Sequence, residues 1–168
     1  MKENFKTLFS VKSSLISLYI ALTVPIPFIS SDQLKIASIF LFLLGLLLIT
    51  NITRDYVETC EEKISYKTSF IAKAFGKKNY EISWKKIKSI KSLPTSQGSK
   101  VFYFIDVKGK SFLLPQRIEN FDIFLKKIER KTNIKTGNIS YISPLWTYKL
   151  LTLLSVLTVI GEISLFLG

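Results

Sequence analysis

The stretch VFYFIDVKGKSFLLPQRIENFDIFLKKI, residues 101 to 128, changes its hydrophobic period halfway along, and that change decides the fold class. Val101 to Val107 is aromatic and β-branched, the composition of a strand. The triplet KGK, Lys108 to Lys110, supplies a hairpin turn into a returning segment, Ser111 to Leu114. From Ile118 onward the apolar residues recur at three and four positions: Ile118, Phe121, Phe124, Leu125 and Ile128. That spacing predicts an amphipathic helix with Lys126, Lys127, Glu129 and Arg130 outward. Strands that lead into one helix make an α+β layout.

The residues before this stretch repeat the strand pattern. Asp55 to Cys60 is a short candidate strand. Ile64, Tyr66, Thr68 and Phe70 alternate with Ser65, Lys67 and Ser69, so a second strand would bury one face. After the turn signal at Gly76 to Asn79, Tyr80, Ile82 and Trp84 alternate with Glu81 and Ser83. A further strand follows, through Ile87, Ser89 and Leu93 on one count, or through Ile87 and Ile90 with a bulge. The turn-rich PTSQGS, Pro94 to Ser99, leads back to Val101. The polar block thus holds about six antiparallel strands and one closing helix.

Its flanks are of another kind. The chain has 168 residues, 48% of them apolar and 21% charged, with a mean hydropathy of +0.30, so charged and apolar residues must be segregated. Leu15 to Ile29, Ile36 to Ile52 and Leu150 to Leu167 carry one ionisable side chain among them, Glu162. The last two runs, as helices, reach about 26 Å at 1.5 Å per residue, close to a hydrocarbon core of about 30 Å. They read as transmembrane helices. The first holds Pro25 and Pro27 and fits a kinked span, a re-entrant segment or a signal-peptide core. A span is favoured, because no small-x-small cleavage site follows. The expected division is a basic N-terminal tail (1–12), a helical hairpin (13–52), a β domain with its closing helix (53–132), a linker (133–145) and a third transmembrane helix (146–168).

Orientation follows from basic residues. The tail carries Lys2, Lys6 and Lys12, and residues 53 to 143 hold 19 Lys or Arg against 9 Asp or Glu, a net of +10. The turn between the first two runs has only Lys35, offset by Asp32. Tail and β domain are therefore expected on the cytoplasmic or equivalent side, with the C-terminus opposite, in a bacterial inner membrane or a thylakoid.

The chain has no histidine and one cysteine, Cys60. No internal disulfide, Cys/His zinc site or histidine base can be built from that set, and neither a Gly-rich phosphate loop nor a G-x-S-x-G nucleophile motif is present. Glu58, Glu61 and Glu62 cluster beside a turn, where carboxylates are ordinarily solvated. The expectation is a protein that is not an enzyme, with no cofactor, metal, small-molecule substrate or nucleic acid.

Three patterns in the polar block carry a resemblance: Y-x-x-T at Tyr56 and Thr59; I-x-W-x-x-I-x-x-I at Ile82, Trp84, Ile87 and Ile90; and K-G-K-x-F-x-L-P at Lys108, Gly109, Phe112, Leu114 and Pro115. With the preceding apolar helices, residues 36 to 132 resemble bacterial membrane-anchored pleckstrin-homology-like domains. The layout alone is similar to photosystem I assembly factors of cyanobacteria and plastids, which place a β-rich domain after two membrane helices. The resemblance implies a pleckstrin-homology-like antiparallel β domain with a C-terminal helix. In that family the phosphoinositide motif lies near the first two strands. Here that turn reads CEEK, residues 60 to 63, so the motif does not carry over.

Candidate contact residues follow from charge and position. Lys85, Lys86, Lys88, Lys91 and Lys100 interrupt Trp84, Ile87 and Ile90, as on the outward side of a strand. The readings are a solvated face, attraction to anionic headgroups at about 1 kcal/mol per lysine, or an acidic protein partner. Gln116 and Arg117 sit where the last strand hands over to the helix, which Asn120 is placed to cap. Glu162 lies roughly 20 Å beyond Lys149 along a helix, where it either snorkels or meets another membrane subunit. The function class expected is a membrane-anchored scaffold or assembly factor for a membrane protein complex; a lipid-surface sensor or lipid-handling protein and a transporter accessory subunit are the alternatives.

Overall fold

The structure, a computed structural model, describes residues 2–167. Met1 and Gly168, the outer ends of the expected tail and third apolar helix, lie outside the described residues. The chain divides into two compact units, Met1–Leu8 with Arg54–Pro144, and Phe9–Thr53 with Leu145–Gly168.

The first unit is mixed α+β and antiparallel. Its four-stranded sheet runs β1 (Glu3–Lys6), β2 (Tyr56–Thr59), β3 (Lys63–Lys67), β4 (Tyr80–Ser83), each paired with the next. A 3-10 turn at Trp84–Lys86 leads into a three-stranded sheet of β5 (Ile87–Pro94), β6 (Lys100–Asp106) and β7 (Ser111–Leu113). The bulge falls between Ile87 and Ser89, which puts Ile90 opposite Phe104 and so selects the bulged alternative for this strand. Strand β1 was missed in the sequence because four residues with one apolar side chain, Phe5, carry no period. Its register is nevertheless definite, with Phe5 opposite Val57 and both buried. The tail is thus not a free basic arm.

The core gathers Phe5, Val57, Ile64, Ile82, Trp84, Ile87, Phe102 and Phe104 from the sheets. The long helix over Phe121–Thr132 closes it with Phe121, Phe124, Leu125 and Ile128, at the spacing read from the sequence. Burying one such side chain contributes about 1.5–3 kcal/mol. Lys127 departs from its expected outward place. It is 5% exposed, and its ammonium meets Glu3 of β1 at 3.1 Å. Asn120 precedes the helix in the left-handed region (φ 53°) with no side-chain cap; its carbonyl accepts from the Ile123 and Phe124 amides. Of the expected linker, 133–145, the part up to Pro144 packs instead, and Leu145 opens the last helix. Ile134, Ile139 and Tyr141 lie against the core, and Thr136 is bonded to Glu129.

The other correction lies between β3 and β4. The alternation expected to continue through Thr68 and Phe70 stops at Lys67. There Thr68 turns its hydroxyl to Asp55 (2.6 Å) and its amide to the Asn79 side chain (3.0 Å). Ser69 then caps a short helix, Phe70–Ala74, by accepting from the Ala72 amide at 3.1 Å, and Phe70 becomes 85% exposed.

The second unit holds three helices long and apolar enough to cross a membrane, Phe9–Ile29, Asp32–Ile52 and Leu145–Phe166. In chain order, α1 (Phe9–Thr23) and α2 (Pro25–Ile29) make up the first and α3 (Asp32–Ile52) the second; α4 is the short Phe70–Ala74 helix, α5 the closing Phe121–Thr132 helix and α6 (Leu145–Leu167) the last. The first helix begins at Phe9, six residues before the apolar run that announced it, and Pro25 divides it. Small buried residues, Ser14 and Ala21 on α1 and Ser155 on α6, suit the close packing of α1 on α6. Phe28 stacks on Phe166 at 5.0 Å, so the ends of α2 and α6 meet. Tyr19 donates to the Phe42 carbonyl at 2.8 Å, and its hydroxyl occupies the place where a β-carbon on Gly45 would stand.

Candidate functional site

Strand alternation puts two faces on the β5–β6–β7 sheet. Phe102 and Phe104 point into the core with Ile90 and Phe112. The opposite face follows from the register: Lys91 faces Tyr103, Leu93 faces Val101, Ser89 faces Ile105, and Tyr103 faces Leu113. It is largely apolar. Leu93 is 57% exposed and Leu113 46%, while Val101, Tyr103 and Ile105 between them are half-buried.

The five lysines singled out in the sequence surround this face. All are exposed, and none makes an ion pair among the described residues. Lys85 and Lys86 sit on the 3-10 turn, where the Lys86 carbonyl accepts from the Val107 amide, next to Lys108 on the hairpin. Lys88 is the bulge residue, Lys91 stands on the open face, and Lys100 starts β6. Along β6 the two ends are roughly 20 Å apart at ~3.4 Å per residue. The lysines form a rim and not one compact patch.

The hairpin end of that rim is held rigidly. Buried Asp106 accepts the Lys108 and Lys110 amides, both at 2.8 Å, and Gly109 takes a φ of +80° that a side chain would disfavour. Lys108 and Lys110 thus belong to the rim, although the sequence reading treated them only as turn residues.

Gln116, expected at a contact surface, is turned inward. It is 5% exposed, its Oε1 accepts from the Phe102 amide (3.3 Å), and its Nε2 donates to the Lys100 (3.0 Å) and Ser140 (2.8 Å) carbonyls. An amide with a donor pair and an acceptor can tie three segments at once, and that use turns it inward. Arg117 stays exposed, and its carbonyl accepts from the Leu8 amide.

Around the four-stranded sheet several charges are paired. Glu58 takes Lys67 (2.8 Å) and Lys2 (3.2 Å), and Glu81 takes Lys63 and Ser65; each carboxyl is held below its ordinary range chiefly by the lysine hydrogen bond. Glu61 is lowered likewise by Lys131. Tyr80 and Tyr66 stack between the sheets, and burial raises both phenols, in Tyr66 with help from Asp55. Of the acidic cluster in the sequence, Glu58 and Glu61 are thus held by neighbouring lysines. In the helical unit, Glu162 is half-buried on α6, and its Oε2 finds no hydrogen-bond partner among the described residues.

No family model matches the chain. The chain is 30% identical over 155 residues to a protein of Synechocystis sp. described as "Uncharacterized protein slr0269", a match that covers 88% of this chain and 77% of that one.

Proposed function

The chain belongs to one family with that Synechocystis protein, and from that premise we propose that it is a non-catalytic, membrane-anchored scaffold or assembly factor for a membrane protein complex. A 155-residue match is longer than either unit, so the likeness runs through parts of both. The likeness of the layout to photosystem I assembly factors favours a photosystem-type complex as the client.

In this reading the three apolar helices are integral spans and the sheet unit is a pleckstrin-homology-like domain on the cytoplasmic or stromal face. The four-plus-three strands closed by α5 support the second part, because the resemblance implies a β-meander with a terminal helix. The pairing of β1 with β2 supports the first. Residues 9 to 52 intervene between the two strands, and two crossings return the chain to the side it left. Spans of 21 to 22 residues are long enough for a hydrocarbon core of about 30 Å.

The observation that carries the scaffold role is the open face of β5–β6–β7: Leu93, Val101, Tyr103, Ile105 and Leu113 in cross-strand register, rimmed by lysines that make no ion pair among the described residues. An apolar centre with a charged rim is the anatomy of a protein interface, and the rim's sign asks for an acidic partner surface. Glu162 would meet a polar group on a neighbouring subunit's helix.

The test is native electrophoresis of the tagged protein in gentle detergent. Leu113→Glu combined with Lys91→Glu should release it from a larger assembly while its circular dichroism is unchanged, and Glu162→Leu should weaken the same assembly. A wild-type chain that runs as a monomer from its own membranes overturns the reading.

A further inference from the structure

The connection between β3 and β4, SFIAKAFGKKN, residues 69 to 79, presents two aromatic side chains to solvent. Phe70 is 85% exposed and Phe75 71%. Only Ala72 of the helix itself is buried, so α4 contributes almost nothing to the core. Single exposed apolar residues are ordinary, but two exposed aromatics within one short connection mark a candidate interaction site.

The segment is also built to hold its shape. Ser69 caps one end. At the other, the Gly76 amide bonds to the Lys73 carbonyl (3.0 Å) and the Lys77 amide to the Ala72 carbonyl (3.1 Å), with Gly76 at φ +85°. That is the Schellman pattern. Lys77 ties the segment to Asp55 at 2.6 Å, and Asn79 ties it to the Thr68 amide. A single turn of helix is unstable in isolation, so bonds from outside it fix the two rings in place.

Charge narrows the occupant. Residues 69 to 79 contain Lys73, Lys77 and Lys78 and no acidic residue. Lys73 and Lys78 are exposed and make no ion pair among the described residues. Aromatic rings beside lysines, on a rigid tip, suit the boundary between headgroups and acyl chains. There the rings leave water and the ammonium groups meet phosphate. We propose that the β3–β4 connection docks on the headgroup layer of an anionic bilayer, with Phe70 and Phe75 entering the boundary and Lys73 and Lys78 meeting lipid phosphates. This goes beyond the scaffold reading and does not depend on it.

The experiment uses the full chain with Cys60→Ser and Ala74→Cys, labelled with a small fluorophore at position 74, which is exposed between the two rings in sequence. The protein is reconstituted into discs of phosphatidylcholine with or without phosphatidylglycerol. In a second arm, vesicles of the same lipids are added to the chain in neutral discs. Anionic lipid in either arm should cut acrylamide quenching at least about threefold and expose the label to shallow spin-labelled lipid. A label at Lys108→Cys should report neither. Phe70→Ser with Phe75→Ser should restore acrylamide access with unchanged circular dichroism, and each of Lys73→Glu and Lys78→Glu should weaken the lipid response about fivefold or more. Equal quenching in anionic discs, neutral discs and detergent, with no response to added vesicles, overturns the proposal. So does protection seen in native membranes and absent from purified lipid, because a protein would then be the occupant.

Discussion

Phe124 on α5 and Phe40 on α3 are the same residue in opposite circumstances. Phe124 is fully buried against Phe5, with ring centroids 5.3 Å apart, whereas Phe40 is 64% exposed on a helix with no buried residue. The sheet unit gathers most of its large apolar residues into one core and leaves a few outside, on the β5–β6–β7 face and the β3–β4 connection. The helical unit keeps most of its apolar surface outward, and only α1 is covered to any extent. Hydrophobicity alone therefore does not locate a core; the surrounding medium decides whether a Phe or Leu belongs inside or outside.

The sharpest way to break this comparison is to truncate one ring in each unit. Phe124→Ala should cost the sheet unit about 3–5 kcal/mol. Phe40→Ala should stay within about 0.5 kcal/mol. Denaturant titration of the full chain in micelles, followed by near-ultraviolet circular dichroism, measures both, and equal losses would mean that α3 is covered after all.

Next in size is Gln116→Leu, which removes one acceptor and two donor bonds from a buried site and leaves their backbone partners stranded. It should cost about 1–3 kcal/mol in the same titration. Smaller still is Tyr19→Phe, which removes the bond to the Phe42 carbonyl inside the helical unit. Hydrogen bonds between helices in lipid average about 0.6 kcal/mol, so a shift of a few degrees or less in the thermal midpoint is expected.

The smallest effect is a dependence on pH. Glu129 accepts the Thr136 amide (2.7 Å) and hydroxyl (3.0 Å), chiefly the amide, and its carboxyl is lowered from the ordinary 4.5. A lowered folded value makes the contribution complete above that ordinary value and lost as the pH falls through the folded one. Acidification from about pH 5 to pH 3 should thus destabilise the native chain slightly more than Glu129→Gln, in paired melts.

How legible each region was follows from its periodicity. The segment 101–128 displayed its strand, turn and helix because its inner residues sit at regular intervals and face a single core. The segment 69–76 did not, because an apparent period-two run crossed the end of a strand. Ser69 and Gly76 were the signals for a capped helical turn, and Phe70, counted as a core residue, outweighed them. Lys127 and Gln116 escaped for another reason. Polar residues turn inward only when a distant segment supplies a partner, Glu3 for one and Ser140 for the other, and neither partner is visible from local pattern. The lysine series 85–100 was seen, but as a cluster; only the β5–β6 register shows it as a rim around apolar side chains.

Strand β1 has a bearing on how the protein is made. Its four residues leave the ribosome before anything they will pair with, and their partner β2 follows some fifty positions later, after both helices of the hairpin. A free loop of that length would make closure slow and entropically expensive. Folding of residues 9 to 52 into helices lowers that cost, because it shortens the free loop that has to close. The order of synthesis then places formation of those helices before completion of the sheet, and until β1 and β2 meet the edge of β2 stays open to other chains.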